Sequence, residues 1–160
     1  MFGFTFPFDL FKSAFVAYIH YLSFLVCFGA LIYERISLKA NPNRQEAISM
    51  VSADIIYGIA GVALLVSGIY RVIKFGQGSE FYTQNPIFWI KIIVFALVGS
   101  LSLYPTITYV LWAIPLSKGT LPQVTDKLVS RLRLIIQIEL VGFASIPFFA
   151  SLMARGVGLA

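Results

Sequence analysis

Residues 86–116 read PIFWIKIIVFALVGSLSLYPTITYVLWAIPL, with one formal charge, Lys91, in the whole run. About 20 apolar residues are enough to carry a helix across the ~30 Å of a bilayer's hydrocarbon. Asn85-Pro86 opens this run as a helix start should. The asparagine can cap free backbone N–H groups, and proline fits the first helical position because its missing N–H is not needed there. Pro105 falls inside the run and predicts a kink, since proline removes a ladder donor. Ser100, Ser102, Thr106 and Thr108 stand close enough to re-satisfy the carbonyls it frees.

Working outward, three further runs of the same kind are expected over residues 12–38, 46–74 and 121–154. Asn41-Pro42-Asn43 separates the first two, and Asn43 with Glu46 makes a capping box. Gly76-Gln77-Gly78 ends the second. Gly119 ends the third, and Thr120 with Gln123 is expected to cap the fourth. Short connections make successive helices antiparallel. The expectation is an all-α, integral membrane four-helix bundle of up-down topology, one transmembrane domain over residues 1–160.

Composition agrees. Mean hydropathy is +0.87, and 59% of residues are hydrophobic against 12% charged, about half the charged share of a soluble domain. The net charge of +5 is spread over the connections and forms no stripe, so a nucleic-acid surface is excluded and the lipid bilayer is the expected partner. The single cysteine, Cys27, excludes an internal disulfide and a cysteine-only metal cage. The first apolar run is too long for a cleaved signal. Phe2, Phe4, Phe6 and Phe8 around Pro7 are expected to form an interfacial foot. Arg35, Lys39, Arg44, Lys118, Lys127, Arg131 and Arg133 flank the first and third connections. Lys12, Arg71, Lys74, Lys91 and Arg155 lie on the other side. Seven cations against five place both termini outside the cytoplasm.

Each apolar run holds one residue that hydrocarbon tolerates poorly: His20, Asp54, Lys91 and Glu139. At a helix centre such a group costs roughly 2.5–3.5 kcal/mol, so it is paired or used. Ser13, His20, Cys27 and Glu34 recur every seven residues and share one stripe of the first helix. Asp54, Gly61 and Gly68 give the second helix a small-residue seam, which permits close helix approach or leaves room for a flat ligand. Lys91, Ser102 and Tyr109 fall on nearly one face of the third. Glu34, Arg35, Asp54 and Glu139 are expected toward the first and third connections. There Arg35, Asp54 and Glu139 form either an ion-pair cluster that fixes register or a proton relay. Lys91 either snorkels to the headgroups or holds a ligand carboxylate. His20 is either a hydrogen-bonded core histidine or a ligand to a tetrapyrrole metal. No phosphate loop, nucleophile elbow or zinc spacing occurs, so no reaction is assigned.

The stretch from His20 to Arg35, with Gly29 and Tyr33, resembles the first helix of a four-helix superfamily. That superfamily holds the copper-resistance D proteins and the membrane-type protoporphyrinogen oxidases. Ser67-Gly68, Trp89-Ile90-Lys91 and Glu139 are similar to it as well. Ile138-Glu139-Leu140 stands where the oxidases carry Asn-Glu-Pro, and the oxidases' further histidines are missing. More closely, NPNRQEAISM (41–50), FYTQNP (81–86) and MARG (153–156) resemble an uncharacterised bacterial membrane family, a domain of unknown function. The superfamily resemblance implies a haem-associated role for His20 and an essential Lys91.

Three functional readings follow. The first is a protein that binds haem b or another tetrapyrrole, or is otherwise redox-linked, with His20 as metal ligand and Lys91 as anchor for an acidic group. The second is a non-catalytic accessory or assembly subunit of a larger membrane complex, or a homo-oligomer. The third is a proton or ion carrier, against which helix one offers only Ser23 and Cys27 between His20 and Glu34. The expected location is a bacterial plasma membrane or an internal, thylakoid-type membrane.

Overall fold

A computed structural model describes residues 7–76 and 78–158. Phe2, Phe4 and Phe6 of the expected aromatic foot, and Gln77, lie outside the described residues. Phe8 is the first residue of helix α1, Phe8–Ser37. Helix α2 runs from Arg44 to Tyr70 and continues as a π-helical turn, Arg71–Phe75. A short helix α3, Ser79–Thr83, precedes the long helix α4, Pro86–Ser117. Helix α5 is Asp126–Ala154. Among the described residues there is no strand.

The helix starts follow the chemistry of their caps. The Asn43 side chain accepts from the Glu46 N–H at 2.9 Å, and the Glu46 carboxylate accepts from the Asn43 N–H at 2.8 Å, completing the expected box. Asn85 accepts from the Ile87 N–H at 2.9 Å, with Pro86 at the first helical position. Helix α5 starts later than expected. Leu121 to Val124 are not helical, and Thr125, rather than Thr120, is the cap, accepting from the Leu128 N–H at 3.3 Å. Pro122 disfavours a helical conformation at Leu121. The segment is instead held by the buried Val124, whose carbonyl accepts from the Asn41 N–H at 3.3 Å.

Helices α1, α2, α4 and α5 form a closed ring in which α1 packs on α2, α2 on α4, α4 on α5 and α5 on α1. All four, α2 with its π-helical turn, are long and apolar enough to cross a membrane. Only 17–28% of each apolar window is buried inside the bundle, so most of each helix faces outward, through side chains such as Leu25, Ile59, Val62, Leu103 and Val141. In water that surface would be untenable; in lipid it is the solvent contact. The core is a column of Leu31, Met50, Leu64, Val98, Leu132 and Ile136. Two glycines set helix distances. A methyl on Gly142 would lie 2.6 Å from Val98 Cγ2, and one on Gly68 would lie 3.1 Å from His20 Cε1.

Pro105 is buried inside α4. The four hydroxyls expected to serve its freed carbonyl turn elsewhere. Ser100, Ser102 and Thr108 donate to Ala96, Val98 and Tyr104, and Thr106 donates to Asp54.

Candidate functional site

The stripe on α1 points inward: Cys27 and Glu34 are buried, and Ser13 and His20 are half-buried. A helix turns about 100° per residue, so Arg35 leaves the face that Glu34 occupies. Arg35 is half-buried, its Nε has no hydrogen-bond partner, and it makes no ion pair among the described residues. The structure therefore places Glu34, not Arg35, with Asp54 and Glu139.

These three carboxyls converge from α1, α2 and α5 on the inside of the ring. Glu34 is 1% exposed, Asp54 6% and Glu139 0%. Each lies within electrostatic reach of the other two. Hydroxyls complete the cluster. Thr106 on α4 donates to Asp54 Oδ1 at 2.8 Å. Ser102 lies beside the Glu139 carboxyl, but its proton goes to the Val98 carbonyl at 2.9 Å. With that proton committed, the Tyr57 hydroxyl is the donor in its 2.7 Å bond to Ser102. Tyr109 is fully buried within reach of all three carboxyls, its ring edge-on to Trp112.

The cluster is incompletely satisfied. Glu34 Oε1, both Glu139 oxygens and the Tyr109 hydroxyl are buried without a hydrogen-bond partner. Most buried polar atoms in folded proteins have one, and each exception calls for an explanation. Among the described residues no group of three or more His, Cys, Asp and Glu is arranged to hold a metal ion.

His20 and Lys91 lie nearer the other end of the bundle. His20 Nδ1 is 3.1 Å from the Leu64 carbonyl and 3.1 Å from Ser67 Oγ. The Ser67 proton goes to the Ala63 and Leu64 carbonyls, so both neighbours of Nδ1 are acceptors. Nδ1 therefore carries a proton, and neutral His20 presents a lone pair at Nε2. The imidazole fills the space that Gly68 leaves, so at this end the small-residue seam receives a side chain of its own bundle. Lys91 is half-buried, with Nζ 5.2 Å from the centre of the Phe88 ring. Lys91 and Arg71 are both within electrostatic reach of His20, but among the described residues the His20 ring bonds only α2 and Lys91 rests over Phe88 of its own helix. A cleft of about 290 Å³ opens between α1 and α2, lined by Phe15, Ile19, Ala63, Ser67 and Tyr70.

In the sequence Ser102 and Tyr109 share a face with Lys91, Ser102 and Thr106 stand beside Pro105, and nothing singles out Tyr57. Serine, threonine and tyrosine in membrane helices commonly bond their own backbone or sit at the interface, so single positions carry no signal.

Residues 12–158 match the family described as predicted membrane protein DUF2214, and the chain belongs to it. No curated protein and no solved structure matches the chain.

Proposed function

We propose that this integral membrane protein carries protons, with Glu34, Asp54 and Glu139 as the groups that bind and pass them. The observation behind this reading is the set of four buried oxygens without partners, on Glu34, Glu139 and Tyr109. Unsatisfied polar atoms cost several kcal/mol each in a membrane interior. A proton is the smallest ligand that relieves them, because a protonated carboxyl both donates and accepts. A proton bound by one of these carboxyls makes it a donor as well as an acceptor, and passing it on moves that donor from group to group.

Helix α1 alone offers only Ser23 and Cys27 between His20 and Glu34, and the other helices add to them. Glu34 and His20 are separated by about 21 Å along α1 at 1.5 Å per residue. Over that distance α2, α4 and α5 contribute Asp54, Tyr57, Ser67, Ser102, Thr106, Tyr109 and Glu139, beside Ser23 and Cys27 of α1, and all but the half-buried Thr106 are buried. Ser102 links two of them: rotating its hydroxyl from the Val98 carbonyl would donate to Glu139 while still accepting from Tyr57.

The test is proton flux into liposomes holding the purified protein, driven by a potassium diffusion potential and read with a trapped pH dye. Wild type should dissipate the gradient, and Glu139→Gln and Asp54→Asn should each fall toward the rate of empty liposomes. Wild-type flux no greater than that of empty liposomes, or variants as fast as wild type, overturns the reading.

A second reading is favoured by the tautomer of His20. An imidazole anchored at Nδ1 by a backbone carbonyl, with a free lone pair at Nε2, is the form in which histidine binds metals. Haem b or another tetrapyrrole would be held by His20, with Lys91 and Arg71 facing its acidic groups. This reading carries with it kinship to the copper-resistance D and membrane protoporphyrinogen oxidase superfamily. The 290 Å³ cleft beside Ser67 is at the lower bound for a ligand pocket, so such a group would sit partly in lipid or against a second copy. A Soret band in protein expressed with ample haem, absent from His20→Ala, supports it; a wild-type spectrum without that band removes it.

A further inference from the structure

Gln137 is a carboxamide on a surface that meets acyl chains. It lies within the 29-residue helix α5, about 6 Å deeper than Arg133 at 1.5 Å per residue, and its side chain is exposed on the outside of the ring. It makes no hydrogen bond among the described residues. The other carboxamides of the described residues stand in connections or at helix ends. The exposed Ser100 of α4 is satisfied within its own helix, donating to the Ala96 carbonyl at 2.8 Å. The two N–H donors and the carbonyl of Gln137 are not. Acyl chains offer neither donor nor acceptor, so an amide held among them needs another protein surface to bond it.

Its neighbours on α5 show what that surface is. Ser130, Gln137 and Ala144 recur every seven residues, and so do Leu134, Val141 and Phe148, each four residues further on. At 100° per residue the six fall within an arc of about 80°. All six are exposed, on the side of α5 away from the buried Leu132, Glu139 and Phe143. A seven-residue repeat is the period of helices wound left-handed on one another, and a single polar residue in such a seam fixes its register. The partner is therefore a helix that brings a donor and an acceptor to the depth of Gln137. A second copy of this chain does so without further adjustment. Two copies inserted in one orientation and related by a two-fold axis along the bilayer normal set each residue opposite its own counterpart at the same depth. A carboxamide both donates and accepts, so two of them on that axis bond each other reciprocally.

We propose that the outer face of α5 is a homodimer interface, joined by a reciprocal hydrogen-bonded pair of Gln137 side chains and packed by Leu134, Val141 and Phe148. The face is turned away from Glu139, and the pairing rests on neither reading of the function.

The experiment labels the full chain at Lys74→Cys, an exposed position, with donor or acceptor dye, the native Cys27 being fully buried. Energy transfer between copies is then followed in phosphatidylcholine liposomes as lipid is added. With the α5 face intact, transfer should persist at dilutions where chance encounters contribute nothing. Gln137→Leu puts an apolar side chain on a lipid-facing position, so each copy should stay folded while pairing weakens roughly tenfold, the worth of two amide bonds between membrane helices. Ala144→Ile, which places a branched side chain in the seam, should weaken pairing as well. Cross-linking by oxidation maps the face: Ala144→Cys should give a disulfide-linked dimer, and Gly99→Cys, exposed on α4, should not. Transfer no greater than chance with the α5 face intact overturns the proposal. So does pairing that survives Gln137→Leu combined with Ala144→Ile. A dimer linked through Gly99→Cys and not through Ala144→Cys would put the second copy on α4 and overturn the α5 face.

Discussion

Glu139 and Asp54 share one core but are bonded differently, and their removal should read differently. Asp54 accepts from Thr106, whereas neither oxygen of Glu139 has a partner. A buried acid without a partner is a burden on the fold, and an apolar residue of similar volume removes it; replacing buried charged groups this way is often neutral or stabilising by about 1–4 kcal/mol. Glu139→Leu should therefore unfold in detergent at or above the wild-type midpoint while losing proton flux. A lower midpoint would mean that the carboxyl holds the bundle together. Asp54→Leu should cost about 1 kcal/mol, the worth of one hydrogen bond. The sequence exposed these two acids readily, because a lone carboxyl in an apolar run has few structural uses. It paired them with Arg35 because that charge is adjacent to the stripe. One residue of helical rotation separates Arg35 from Glu34, and only the packed ring shows which of the two faces in. Tyr57 carried no signal at all, since a tyrosine in a membrane helix usually belongs to the interface.

Helix starts were legible where a side chain caps its own backbone, as at Asn43 and Asn85. They were not legible where a tertiary contact decides, as at Val124, whose burial and bond to Asn41 hold residues 121–124 outside the helix. The π-helical turn and the short α3 also lack a local signature. Helix spacing is a further property of this kind. Gly142 of α5 faces Val98 of α4 so closely that a Cβ would sit 2.6 Å from Cγ2. Valine is branched at Cβ and cannot swing that methyl away freely. Gly142→Ala should thus cost about 1–3 kcal/mol through overpacking. Val98→Ala combined with Gly142→Ala should recover most of the loss, because the new methyl takes the space vacated. Thermal unfolding of the two single variants and the double variant measures the coupling; additive losses would mean that α4 and α5 part without strain.

The bundle is polar in an asymmetric way. Its buried carboxyls lie toward the connections α1–α2 and α4–α5, and the half-buried His20, Arg71 and Lys91 lie toward the termini. Which compartment each end meets follows from the cations flanking the helices. Several on the connection side are engaged: Arg133 donates to the Leu38 carbonyl at 2.7 Å, Arg131 donates to the Tyr104 hydroxyl at 3.3 Å, and Lys39 pairs with Glu46 at 2.7 Å. Bonding leaves their charge intact, and insertion responds to Lys and Arg with little influence from acids, so the excess of seven over five keeps both termini outside the cytoplasm as the expected orientation. In that orientation the carboxyl cluster would lie nearer the cytoplasmic face, with the buried Glu34 in the last turn of α1. Cysteine labelling decides this with little background, since Cys27 is fully buried. Lys74→Cys and Ser117→Cys place thiols at exposed positions on opposite ends. In intact cells a membrane-impermeant maleimide should label the thiol at position 74 and reach the one at 117 only after permeabilisation. The reverse pattern would put Glu34 and the carboxyl cluster nearer the outer face.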